Sequence, residues 1–385
     1  MIDHKDTYMM PTFIQAAERQ MPAMIKLLRQ MVEIESPSDN KAAVDRCIAF
    51  TAKQCTRLGG HVHLHRQKEF GDLLEARFGP KKSSQKPILL LGHLDTVWPL
   101  GTLKGMPFRV ADRRVWGPGV LDMKAGVAMA FTAIAILKEQ RRLTQPIVML
   151  LNSDEEVGST VSRAVTEKLA GRCKAVYVLE PAQGLAGAYK TARKGVGNYS
   201  IRVQGVAAHS GVDFERGHSA IVELARQIER INRFTELDRG ITVNIGTVRG
   251  GTRSNVIAAE AQAEVDVRIA KAKDAARIER RFRSLRVFDS NCSLHVEGGL
   301  NRPPMERTRG TVALYKQAVA HAHALGFELK EAATGGGSDG NFTSALGVPT
   351  LDGMGAVGEG AHAAHESLLL EHMASRTALL AAMLE

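Results

Sequence analysis

Five short clusters of acids and histidines follow one another along this chain: GHLD at 92–95, GVLDMK at 119–124, SDEEVGS at 153–159, LEP at 179–181 and HAAHE at 362–366. Each stands beside an apolar, strand-like run or a glycine-rich turn. Imidazoles, terminal carboxylates, one bridging carboxylate and a spare carboxylate able to act as base are what a pair of divalent cations and a hydrolytic reaction need. Taken alone, each cluster is ordinary, because acids after a strand are usually a solvated turn or a helix N-terminus. The clusters are also far apart in sequence, so only the fold can make one site of them.

The elements that would position them are partly legible. Residues 12–34 and 40–58 have helical apolar spacing, and HVHLHR at 61–66 reads as a polar strand. PILLLGHLD at 87–95 is a continuous apolar run with a polar tip, the pattern of a buried parallel strand carrying His93 and Asp95 at its carboxyl end. PIVMLLNSDEE at 146–156 and AVYVLEP at 175–181 repeat the design, and a glycine-broken loop at 117–126 feeds an apolar helix over 126–139. Three such strands separated by helices predict one doubly wound α/β sheet. From about residue 190 the texture changes to two-residue alternation, as in GNYSIRVQG and AEAQAEVDVRI, with helical patterns at 217–234 and 271–286. This predicts a separate α+β sandwich over 190–298 inserted into a first domain made of 1–189 and 299–385.

Bulk properties narrow the class. The chain has 385 residues, 44% hydrophobic and 24% charged, which suits two globular domains. No stretch reads as a membrane span, and the N-terminus shows no signal-like apolar segment, so a cytoplasmic location is expected, or a periplasmic one if a leader was removed. The four cysteines form no CxxC pair and are expected as buried free thiols. A net charge of +10 raises the question of nucleic acid, but the basic residues are scattered and no nucleic-acid module is present. The run RIERRFRSLR at 277–286 is expected to be a solvated helix face.

GHLDTVWP, GPGVLDMKAG, SDEEVGS, TGGGSD and GAHAAHE together resemble the M20 metallopeptidases of the di-zinc aminopeptidase-like clan, and the glutamate carboxypeptidase branch in particular, over nearly the whole chain. The resemblance implies a mixed sheet flanked by helices as the catalytic domain, with an inserted dimerisation domain. It implies two divalent cations per subunit, Zn2+ with Co2+ or Mn2+ as alternatives, held by His93, Asp122 as the bridge, Glu156, Glu180 and His362. His365 is a competitor for the last place, and the pattern of His, three residues, then Glu selects His362 with Glu366. Glu155 is implied as general base, and Asp95 as the acceptor that orients the His93 ring.

The same resemblance makes His209, in GVAAHSG, a residue that reaches a partner subunit's site in a homodimer. It makes Asn255 and Arg268 contacts to a substrate carboxylate, and the Gly336 backbone a close neighbour of the ligand. The expected reaction is hydrolysis of an amide bond next to a free carboxylate, releasing a C-terminal residue such as glutamate. An aminoacylase or deacetylase of the same family, or a metal-free binding protein on the same fold, are the rivals. Neither nucleic acid nor membrane is expected as a partner.

Overall fold

The computed structural model describes residues 4–80 and 83–385, with side chains from Thr12 onward. The chain divides into two compact units, one ending at Ala192 and resuming over Arg307–Thr334 and Ser338–Glu385, the other formed by Arg193–Glu306 and Gly335–Gly337.

The first unit is built on a six-stranded mixed sheet. Its order is His61–His65, Leu73–Phe78, Ile147–Asn152, Ile88–His93, Ala175–Val178 and Thr350–Leu351. The last four run parallel, and Leu73–Phe78 is antiparallel to both of its neighbours. Every residue of Ile88–His93 and Ile147–Asn152 is buried, which is why their sequences are apolar without alternation. Helices His4–Val32, Ala125–Glu139 and Leu370–Leu384 contribute to the larger core, and Leu169 and Ala170 of helix Arg163–Ala170 to a second one. Strand Leu73–Phe78 and the helix start at His4 were not expected from the sequence.

Gly126 shows how tightly the helix after the glycine loop is seated. A Cβ there would fall 2.0 Å from the Leu179 carbonyl oxygen, so only glycine lets the helix approach the segment carrying Glu180. The stretch Val120–Glu139 has the length and apolar composition of a membrane span, contrary to the sequence expectation. It is largely buried within the protein, and its regular part, Ala125–Glu139, is a core helix. A small second sheet, ordered Gly358–Glu359, Ser367–Leu369, Arg114–Trp116 and Arg109–Ala111, brackets the turn bearing His362.

The second unit is an antiparallel sheet in the order Thr242–Gly250, Glu260–Ile269, Gly195–Gln204 and Ser293–Arg302, with helices Ala220–Asn232 and Ala275–Arg283. Tyr199 stacks on Phe282 at 3.8 Å between ring centroids, one side chain from the sheet and one from a helix. The boundary expected at residue 298 falls inside strand Ser293–Arg302. The unit runs to Glu306 and takes back Gly335–Gly337. The basic run lies largely on helix Ala275–Arg283, where Arg277 and Arg281 both pair with Glu236. All four cysteines are buried and free.

Candidate metal centre

The three parallel strands that end in polar tips deliver their tips to the same edge of the sheet. His93 is the last residue of Ile88–His93, Glu155 and Glu156 begin a short turn after Ile147–Asn152, and Glu180 follows Ala175–Val178. Asp122 comes from the irregular turn Val120–Lys124, where Asp122 and Met123 leave helical angles, and His362 from a turn in which its own φ is 63°. The ligand atoms form two groups, His93 with Asp122 and Glu180, and Asp122 with Glu156 and His362, all within 4.8 Å of one another in each group.

Asp122 belongs to both, and its two oxygens face opposite ways. Oδ1 lies 3.3 Å from His93 Nε2, and Oδ2 lies 3.3 Å from His362 Nε2. Glu180 Oε1 stands 3.7 Å from His93 Nε2, and Glu156 Oε2 stands 3.1 Å from His362 Nε2. Among the described residues, His93 Nε2, Asp122 Oδ1 and Glu156 Oε1 are buried and find no hydrogen-bond partner. Buried polar atoms left so are costly unless something satisfies them. A donor set of imidazole and carboxylate around each such gap fits a divalent cation of the zinc, cobalt or manganese type.

The electrostatics agree with a site made for positive charge. Burial lowers the His93 imidazole, but Asp122 and Asp95 beside it reverse this and hold it well above its ordinary value. Asp122 and Glu156 raise His362 to about 10. Burial pushes Asp122 up, yet the two imidazoles dominate and bring it below the usual carboxylate range. Burial keeps Glu156 above that range despite His362. Without a cation, protons on the imidazoles balance these carboxylates, so cations must displace protons to bind, and their affinity rises with pH.

Asp95 stands beside the His93 ring, as the sequence reading expects, and has further partners. His93 Nδ1 lies 3.0 Å from the Asp95 backbone carbonyl and 3.4 Å from its carboxylate. The carboxylate, fully buried, also accepts from Ser38 Oγ at 2.7 Å and from the backbone N–H groups of Glu155 at 3.3 Å and Glu156 at 3.2 Å. It therefore holds the turn that presents Glu155 and Glu156, and its carbonyl and carboxylate both face the Nδ1 side of the ring. Asp339, from TGGGSD, supports the same turn by accepting from Asn152 Nδ2 at 2.6 Å and from Ser159 Oγ.

His365 is exposed, packs against Gly360 and is in neither group. Replacing His362 by Ala is therefore expected to remove about one of the two cations per subunit, read by elemental analysis after gel filtration. His365→Ala is expected to keep both, and the opposite pattern would reverse the assignment.

The other expected residues lie in the second unit. His209 and Asn255 are exposed and come side by side: Ser210 N–H donates to the Asn255 carbonyl at 3.1 Å, and His209 bridges to Val256. Arg268 does not present an open fork. Its Nε and Nη2 donate to Asp266, the latter at 2.8 Å, and Nη1 donates to the Gly335 carbonyl at 3.3 Å. The Gly336 and Gly337 carbonyls accept from Arg193 Nη1 at 3.2 and 3.1 Å, so this loop turns carbonyls toward arginines of its own unit. Sequence reasoning missed Arg193, the Ser38 and Lys124 anchors and the weight carried by Glu366. Lys124 is buried and donates to the Met31 and Ile34 carbonyls at 3.0 Å each, fastening the Asp122 turn to the end of the first helix.

This fold and this donor set define a metallohydrolase. Residues 89–385 match peptidase family M20/M25/M40, and the chain belongs to that metal-dependent family of hydrolytic peptidases. Among relatives, it is 29% identical to carboxypeptidase G2 of Pseudomonas sp. (strain RS-16) over 356 residues, covering 90% of this chain and 85% of that protein. The aminopeptidase PepT of Bacillus cereus ATCC 10987 has a similar structure, with a TM-score of 0.79 at 23% identity over 94% of this chain and 98% of that one. The M20 family metallo-carboxypeptidase Sso-CP2 of Sulfolobus solfataricus gives 0.76 at 16% identity over 94% and 98%.

Proposed function

We propose that this protein is a two-cation carboxypeptidase, with Zn2+ as the native ion, that cleaves the amide bond next to a free carboxylate and releases a C-terminal amino acid, glutamate first among candidates. The observation that carries the reading is Asp122, whose two oxygens each face a different imidazole-carboxylate group. The similarity to a carboxypeptidase over most of both chains supports the direction of cleavage.

His93, Asp122 and Glu180 would hold one ion, and Asp122, Glu156 and His362 the other. When bound, such ions supply Lewis acidity, polarising a carbonyl and acidifying water. Glu155 then moves the proton. It takes one from water as the oxygen adds to the scissile carbon, and gives it to the amine nitrogen as the C–N bond breaks. Asp95 fixes where that carboxylate stands through the Glu155 backbone N–H. Asn255 and Arg268 are proposed to read the substrate carboxylate, Arg268 by sharing donors with Asp266 or leaving it.

A screen of N-acyl amino acids and dipeptides with varied C-termini, after chelation and return of Zn2+, Co2+ or Mn2+, tests the proposal. Cleavage confined to free-carboxylate substrates, fastest for glutamate, is expected. Equal rates for every C-terminal residue would remove glutamate, and acetyl-group removal alone would favour the deacetylase rival. Substrate binding without turnover in the metal-loaded protein would favour the binding protein.

We also propose a homodimer formed through the second unit. Thr242–Gly250 is an edge strand with Val248 57% exposed, and Ile221 of the neighbouring helix, 46% exposed, lies against Gly250. An open apolar edge of this kind invites pairing with a second copy. Val248→Glu is expected to shift sedimentation at micromolar concentration toward monomer. On this reading His209 serves the partner subunit, and mixing inactive His209→Ala and Glu155→Ala proteins restores activity. An unchanged dimer, or no recovery on mixing, counts against the respective half.

A further inference from the structure

One fully buried carboxylate of the first unit has no role in the reaction described above. Glu366 is 0% exposed, and each of its oxygens accepts two hydrogen bonds. Oε2 receives Trp98 Nε1 at 2.8 Å and the Gly119 N–H at 2.9 Å. Oε1 receives the Leu121 N–H at 2.8 Å and the Asp122 N–H at 3.0 Å. All four partners donate, so the site calls for a group that only accepts, and none of these four offers an acceptor to a carboxyl proton.

Three of the donors are backbone amides of the turn that aims Asp122. That turn departs from helical angles at Asp122 (φ −108°, ψ 96°) and at Met123 (φ −132°, ψ 32°). A regular ladder therefore cannot fix its direction, and without Glu366 these amides would lose their acceptor in the interior. The carboxylate that holds them sits four residues after His362. It closes a turn in which Ala363 N–H donates to Gly360 O and Glu366 N–H to Ala363 O, both at 2.8 Å. A single side chain thus ties the loop of Asp122 to the loop of His362.

We infer that Glu366 is a positioning residue for the two-cation centre: it sets the Asp122 turn against the His362 turn so that each Asp122 oxygen meets its own imidazole. The inference rests on the two-cation reading. It differs from simple capping because it concerns the direction of Asp122 relative to His362, which a cation would sense and bulk stability would not.

Glu366→Gln tests it, because the amide turns N–H groups onto existing donors at unchanged size. The readouts are Zn2+ affinity by chelator competition and the visible spectrum of the Co2+-loaded protein, alongside circular dichroism and the thermal midpoint. The expected result is a folded protein whose affinity for the more weakly held ion falls by about 10–100-fold, the range for groups that orient ligands, with an altered Co2+ spectrum. Trp98→Phe added to Glu366→Gln removes one facing donor and is expected to recover part of that loss. A folded Glu366→Gln protein with wild-type affinity and spectrum overturns the inference, even if its midpoint is lower. If Glu366→Gln does not fold, Trp98→Phe alone decides. Loss of one bond to the carboxylate should weaken ion binding a few-fold, and an unchanged affinity and spectrum overturns the inference. Wild-type protein that binds no pair of ions overturns the two-cation reading itself, a result separate from either of these.

Discussion

Replacing Glu155 by Gln lowers kcat by about 10²–10⁴-fold, the usual worth of a positioned acid–base group, and leaves both cations and KM nearly as they were. The expectation follows from the way the turn is made. Glu155 and Glu156 are neighbours on one short turn, and the Asp95 carboxylate accepts the backbone N–H of each. Their main chains are held alike, but only Glu156 joins the metal-facing groups, with Oε2 3.1 Å from His362 Nε2. Glutamine preserves shape and cannot take up a proton, so the variant isolates proton transfer from ion binding. At 1.36 kcal/mol per factor of ten, the loss is about 3–5 kcal/mol of barrier. Elemental analysis with steady-state kinetics checks it. Two ions and a collapsed kcat support the base role, whereas loss of an ion from Glu155→Gln would make Glu155 a ligand. Glu156→Gln is the natural contrast, with the ion lost first and activity returning only at high metal.

How much of this was legible depended on what kind of partner each residue has. The tips of the three parallel strands were readable because the strands are buried on both faces. Their sequences are unbroken apolar runs, and the change to His93, to Glu155 and Glu156, and to Glu180 marks where each strand leaves the core. Residues whose partner is the main chain were not. Three of the four bonds to Glu366 come from backbone amides that every residue except proline possesses, so no residue type at 119–122 announces them. The further role of the Asp95 carboxylate was hidden for the same reason, since besides His93 and Ser38 its partners are two backbone N–H groups.

The boundary of the second unit failed for a different physical reason. Gly298 and Gly299, where the boundary was expected, lie within strand Ser293–Arg302. A Cβ at Gly298 would come 2.1 Å from the Asn198 carbonyl of the neighbouring strand. Here glycine marks a close approach between strands, not the end of one. The return of Gly335–Gly337 to that unit was likewise hidden, because it depends on their carbonyls meeting Arg193 and Arg268.

Asp122→Ala is expected to abolish activity and to release both ions, a larger effect than any other single replacement at the centre. Each oxygen of Asp122 serves one group, so the alanine variant leaves His93 with Glu180 and His362 with Glu156 as two incomplete pairs. Loss of a directly coordinating group should exceed the roughly 10–100-fold affinity change typical of outer partners, and here it acts at both ions. Asp122→Asn divides the effect. The amide offers one oxygen and one NH2, so a single group keeps an acceptor and one ion stays, more weakly bound. The metal-free proteins give an independent reading through His362, which Asp122 and Glu156 raise to about 10. That raised value makes the protonated imidazole a source of stability below its ordinary 6.5, lost as pH climbs through about 10. Removing Asp122 takes away the first of its two supports. The NMR titration of His362 in Asp122→Ala should move down toward 6.5, and the loss of stability at high pH should shift down with it. A His362 titration unmoved by the substitution would show that Asp122 does not face it in solution, and the shared-carboxylate centre would fall with that result.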